Sequence, residues 1–301
     1  MTVTALERLR RYDDPRAGYS EELLGDPVGD DGLGILTRPL GPARRTGFVL
    51  CRAPGPEESF LHRLEAMVAR DLAANGFPSI RIRRGFGHEG EPGVLCLSDG
   101  VVEAEDAVGV LASSCDLERV GALGGLLGAA VALRVAGRRE LPLAGLWCPV
   151  ANGSLYLRDL RRRHLVTGFM TPDERVARRE PLEEQLARGP AILRGLRLTP
   201  AAFEELSELE LGADAGGGPA RVLLVAVTKS GDPDGTVRGL AESLERTGRV
   251  ATVQAVQDPL VVPFGDHFVR KTGNGRRDLR LDADRELTRI TTAWALAAEA
   301  A

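Results

Sequence analysis

GALGGLLGAAVAL, residues 121–133, is the stretch on which the fold turns. It starts as the end of an apolar run, ERVGALGG (118–125), and passes directly into LLGAAVALRVAG (126–137), where small residues and leucines recur at helical spacing. A strand that becomes a helix without a linker must turn sharply. Gly124, Gly125 and Gly128 remove side chains where the two elements crowd. The residue they frame is Leu126. Two other readings of these glycines are a helix start with a packing role and a loop that cradles a pyrophosphate. The spacing is not G-x-G-x-x-G, and no acidic residue ends the next strand, which weakens the second.

The alternation continues on both sides of this turn. RTGFVLCRAPGPEES (45–59) holds a buried strand, Phe48 to Cys51, broken by Pro54-Gly55-Pro56. SFLHRLEAMVARDLAANGF (59–77) has apolar residues at Phe60, Leu61, Leu64, Met67, Val68 and Leu72, a helical period with Asn75-Gly76 as its stop. SIRIR (79–83) is a short strand, DGVVEAEDAVGVLASS (99–114) an amphipathic helix and LPLAGLWCPV (141–150) a buried strand. Buried strands alternating with helices imply a parallel sheet covered on both faces. GDPVGDDGLGILTRPL (25–40) suits an edge hairpin, and residues 1–20 read as a short helix or a frayed arm. Between 151 and 219 the pattern becomes helical, with no clear strand, and ADAGGGPA (213–220) reads as a linker. RVLLVAV, TVRGLAESLERTG, RVATVQAV and DADRELTRITTAWALAAEA then resume the alternation as strand, helix, strand, helix. The organisation expected is therefore a first core segment over 1–150, a helical lid over 151–219 and a second core segment over 220–301. A lid so placed covers the carboxyl edge of the sheet, where open α/β sheets bind ligands.

Bulk composition narrows the function classes. The chain has 301 residues, a net charge of −4 and 27% charged residues, which gives no electrostatic reason to expect nucleic acid. No run of about 18 apolar residues occurs, so no membrane span is expected. Cys51, Cys96, Cys115 and Cys148 form no C-x-x-C pair, so neither a metal nor another cofactor is expected. The N-terminus carries no apolar signal core, and the expected location is cytoplasmic.

Three stretches together resemble one family. APGPEESFLHRLEAMVARDLAANGF (53–77), GGLLGA (124–129) and LWCPVANGSLYLRDLRRR (146–163) occur in the order and spacing of α/β-hydrolases of the serine-aminopeptidase-like kind. More narrowly, they resemble exosortase-associated hydrolase-like proteins, whose elbow also lacks serine. The likeness covers roughly residues 45–165. It implies an α/β-hydrolase fold, a mostly parallel central sheet with helices on both faces and a helical lid. RGFGHEG (84–90) is similar to a glycine-rich loop of that fold, with His88 in place of serine.

The resemblance also implies where a site would lie. In a nucleophile elbow, G-x-S-x-G presents serine at the sheet edge. Here Leu126 takes that place and cannot attack a carbonyl. Gly125, Leu127, Pro54 and Asn152 are the expected pocket-lining positions around it, although Asn152 also suits a turn with Gly153. Glu57 and Glu58 follow the first core strand, where such enzymes build part of their oxyanion hole. Carboxylates there argue against ordinary acyl transfer. They are candidates for a base or a cation ligand, or else begin the next helix at its positive end, with Arg63 as partner. The acid of the implied triad falls in TKSGDPDG (228–235), at Asp232 or Asp234, and the histidine in VVPFGDHF (261–268), at His267. The expectation is proton-transfer chemistry by His267 and Asp232 on a small molecule or peptide, without a covalent serine step. The alternatives are a non-catalytic protein that binds an apolar ligand or a protein partner, and a thiol nucleophile at Cys51 or Cys115. A homodimer is left open.

Overall fold

The computed structural model describes residues 11–25, 34–53, 58–82, 93–94, 96–167, 182–193, 196–213, 218–258 and 279–300. The core elements run in chain order as β1 (Arg11–Asp14), β2 (Tyr19–Leu24), β3 (Gly34–Pro39), β4 (Thr46–Cys51), α1 (Glu58–Ala74), β5 (Ser79–Ile82), β6 (Gly93–Val94), α2 (Leu97–Ser114), β7 (Arg119–Gly125), α3 (Leu127–Arg138) and β8 (Leu143–Trp147). An insertion follows with α4 (Gly153–Thr167), α5 (Leu182–Arg188), β9 (Ala191–Leu193), β10 (Leu196–Leu198) and α6 (Pro200–Ser207). The chain returns to the core through β11 (Arg221–Thr228), α7 (Gly235–Arg246), β12 (Val250–Gln257) and α8 (Leu279–Glu299).

Nine strands form one sheet in the order β1-β2-β3-β5-β4-β7-β8-β11-β12. The stretch from β5 to β12 is parallel throughout, and β1, β2 and β3 join antiparallel at the other edge. The central strands are apolar on both faces because both faces are covered. Every residue of β4 and β8 is buried. Val49, Cys51, Ala122, Ala144 and Leu224 face a cluster shared with α2, α3 and α7. Phe48, Leu50, Leu123, Leu143 and Leu223 face a second cluster shared with α1 and α8. The hydrophobic alternation read along these strands is thus two half-cores on opposite sides of one sheet.

Three local expectations change. Residues 11–14 form an edge strand rather than a helix, because Arg11–Asp14 register against Tyr19–Glu22 in a hairpin closed at Gly18, which has φ 80°. The insertion contains strands: β9 and β10 pair antiparallel. Its small sheet is completed by β6, from before the insertion, which pairs parallel with β10. The insertion is also packed hard onto the core. Leu186, Leu193, Leu198, Leu206 and Leu211 belong to the same buried cluster as α2 and α3. Glu205 on α6 fastens it further. One carboxylate oxygen accepts from the Leu97 and Ser98 amides at 3.1 and 3.3 Å, and the other from Arg134 on α3 at 3.1 Å. Cys96 offers α2 no side-chain cap, so Glu205 supplies the acceptor from a distant part of the chain.

Candidate functional site

The turn between β7 and α3 has the sharpness its glycines imply. Leu126 has φ 53° and ψ −120°, a conformation that leucine rarely adopts and that costs of order 1–3 kcal/mol. The surroundings hold it there. The Leu126 amide donates to the Trp147 carbonyl at the end of β8 at 2.9 Å, and the Leu126 carbonyl accepts from Ala129 at 3.2 Å. A β-carbon on Gly124 would lie 2.1 Å from the Gly128 carbonyl oxygen, and one on Gly128 would lie 2.7 Å from that of Cys51. Glycine at 124 lets β7 meet the first turn of α3. Glycine at 128 lets α3 start against the end of β4. The Leu126 side chain is half-buried and touches both apolar clusters, so it sits at the sheet edge between the two faces.

The neighbouring strand ends complete the edge. Cys148, directly after β8, also has positive φ, at 46°, and its amide donates to the Val225 carbonyl at 2.7 Å. Burial pushes its thiol up to about 12; a hydrogen bond from the Val227 backbone opposes this, and the Asp234 charge adds to it. Cys51 ends β4, is wholly buried, and is pushed up further by burial and by Glu65. Both thiols stay protonated at neutral pH, which is the wrong state for a nucleophile. Cys115 lies at the other end of the sheet, before β7 begins, so it is remote from this edge. The burial of Cys51 and the distance of Cys115 both weigh against the substituted-thiol reading.

The two candidate acids after β11 separate. Asp234 caps α7, its Oδ1 accepting from the Val237 amide at 2.9 Å. Asp232 is exposed, in a turn closed by Thr228 Oγ1, which donates to the Asp232 carbonyl at 2.9 Å and accepts from the Gly231 amide at 3.0 Å. The Asp234 carboxylate is committed to a helix end, which leaves Asp232 as the candidate acid of the pair. A third carboxylate escaped the sequence reading. Asp258 follows β12, is 3% exposed, and its amide donates to the Thr228 carbonyl at 2.8 Å. An acid placed directly after a strand of the parallel sheet was the available signal.

Other expected positions resolve as follows. Leu127 is fully buried in the α2–α3 cluster, so it is a core residue and not a pocket wall. Gly125 approaches α1, since a β-carbon there would meet the tip of Leu61 at 3.0 Å. Asn152 serves as a helix cap and not as a free amide. Its Oδ1 accepts from the Leu155 amide at 2.7 Å and its Nδ2 donates to Glu210. Glu58 is the first residue of α1. Arg63, the partner suggested for these acids, is bonded to Asp284 on α8, at 2.7 Å. Pro54, Glu57, His88 and His267 lie outside the described residues. Among the described residues no cluster of three His, Cys, Asp or Glu side chains has the arrangement of a metal site, and no helix is long and apolar enough to cross a membrane.

No family model matches the chain, and no curated protein matches it. Solved structures do. Est1E from Butyrivibrio proteoclasticus is 12% identical, with 93% of this chain and 99% of that one covered at a TM-score of 0.55. The same protein with ferulic acid bound is 14% identical over 84% and 89% of the two chains, at 0.52. Inhibited esterase B from Lactobacillus rhamnosis is 13% identical over 98% and 94%, at 0.54. At such identities the likeness is one of fold: the chain has the α/β-hydrolase fold.

Proposed function

We propose that this chain is an α/β-hydrolase-fold enzyme that works without a covalent serine step. The reading rests on Leu126. It stands with φ 53° on the strand-to-helix turn, where the fold presents a nucleophile, and its side chain has no atom that can attack. A fold that keeps a strained turn but loses the nucleophile retains binding and positioning, which carry a large part of catalysis. In this reading His267, oriented by Asp232, moves protons on a small molecule or peptide held under the insertion, in an elimination, cyclisation or water-attack reaction of specialised metabolism. The resemblance of residues 45–165 to exosortase-associated hydrolase-like proteins, which also lack the elbow serine, supports the same view. The protein's expected setting is the cytoplasm, without nucleic acid or membrane.

The half-buried position of Leu126 against both apolar clusters favours a second reading, in which the edge holds an apolar ligand and performs no chemistry. A turnover screen over a small-molecule and peptide panel, read by mass spectrometry, separates the two. Consumption of a compound by the native protein but not by His267→Ala or Asp232→Asn supports the enzyme. No turnover, together with an apolar compound carried through purification, supports the binding protein.

A further inference from the structure

Helix α1 covers a polar patch inside an otherwise apolar layer. On the face of the sheet beneath it, Glu21 of β2, Thr37 of β3 and Ser79 of β5 are paired in one cross-strand row. The row continues into Phe48 of β4, where the apolar core begins. Arg81 lies two residues beyond Ser79 on the same strand, and so on the same face. Thr37 and Ser79 are 0% exposed and Arg81 is 2% exposed. The Arg81 guanidinium is only partly used. Its Nη2 donates to Glu21 Oε1 at 2.6 Å, and the other oxygen of Glu21 accepts from Arg70 on α1 at 2.8 Å. Arg81 Nε, Thr37 Oγ1 and Ser79 Oγ remain buried with no hydrogen-bond partner in the protein.

Buried polar atoms are rarely left unsatisfied, and three at adjacent positions of one face are a site rather than three accidents. Among the described residues two acids, Glu21 and Glu65, face two guanidiniums, Arg70 and Arg81. An added anion would leave net negative charge under α1, and a cation would meet the guanidinium. The occupant must be small and neutral, accept from an N–H, and both donate to and accept from hydroxyls. We infer that the Thr37–Ser79–Arg81 patch binds one ordered internal water, which accepts from Arg81 Nε and bonds the two hydroxyls across the β3–β5 pair. Three partners is the usual complement of a buried water. It joins the antiparallel edge of the sheet to the parallel part.

A high-resolution crystal structure of the native chain tests this. The expected result is one well-ordered solvent peak within hydrogen-bond distance of all three atoms, which Ser79→Ala weakens and Thr37→Val with Ser79→Ala abolishes. No peak in the native protein, with the hydroxyls turned onto backbone carbonyls, would overturn the inference. So would a peak of chloride strength, or one that persists unchanged in the double variant.

Discussion

Adding one methyl group at the elbow, Gly124→Ala, is the sharpest test of how β7 meets α3. The new carbon would sit 2.1 Å from the Gly128 oxygen, 2.5 Å from the Gly128 carbonyl carbon and 3.0 Å from the Ala129 nitrogen. All three are backbone atoms, so no side chain can swing aside. Ordinary contact begins near 3.4 Å, and the first turn of α3 must therefore move by more than 1 Å. That turn carries Leu127, Ala129, Ala130 and Val131, all fully buried, so the shift repacks the core. Overpacking costs typically 1–3 kcal/mol and occasionally more, and a clash with backbone belongs at the upper end, about 3 kcal/mol. At about 2–4 °C per kcal/mol for a chain of this order, the melting temperature falls by ~6–12 °C. Gly109→Ala is the control. It lies within α2, where a β-carbon meets nothing within 4 Å. Helix propensity alone then stabilises by up to ~1 kcal/mol. Urea and thermal unfolding followed by circular dichroism measure both. If Gly124→Ala unfolds at the native temperature, or does no worse than Gly109→Ala, the close approach of β7 and α3 is refuted.

Three further outcomes follow from single contacts. The buried indole of Trp147 donates to Thr291 Oγ1 at 3.1 Å, so Thr291→Val leaves an unsatisfied N–H and costs about 1–3 kcal/mol in urea unfolding followed by tryptophan fluorescence. Asp234→Ala removes the cap of α7 and costs about 1 kcal/mol, whereas exposed Asp232→Ala stays within about 0.5 kcal/mol; the same unfolding assay ranks the pair. The Cys148 thiol is pushed from 9.0 up to about 12, so the folded chain keeps a proton that the unfolded chain releases. That stability is complete below about pH 9 and is lost as pH rises toward about 12. The urea midpoint of Cys148→Ala should accordingly fall less steeply over that window than the native one, and an equal slope contradicts the shift.

The parallel core was legible because its signals are local and repeated. Buried strands such as FVLC and LLVAV are continuous apolar runs, and the helices between them keep a clean period. β9 and β10 were missed because three residues are too few to show any period, and the third strand of their sheet, β6, lies about a hundred residues earlier. β1 was missed because RYDD is a polar edge strand, which its hairpin partner and not its composition defines. At the site, the strained turn at Leu126 could be read from its glycine frame together with its place between a strand and a helix. The burial of Leu127 could not, since it depends on long-range neighbours, nor could the bond from Asn152 to Glu210, 58 positions away, although the cap Asn152 gives Leu155 is local. The division between Asp232 and Asp234 was readable in principle, because an aspartate at the start of TVRGLAESL is a helix-cap signature. Asp258 required knowing where β12 stops.

The central claim is that the elbow presents a side chain without a nucleophile. Incubation of the native protein with a fluorophosphonate, followed by intact-mass measurement, tests it most directly. The account predicts an unchanged mass at full occupancy of the reagent. A one-to-one adduct formed by the folded protein and lost on unfolding, mapped to any serine, threonine or cysteine, would show that a covalent nucleophile exists and would contradict it.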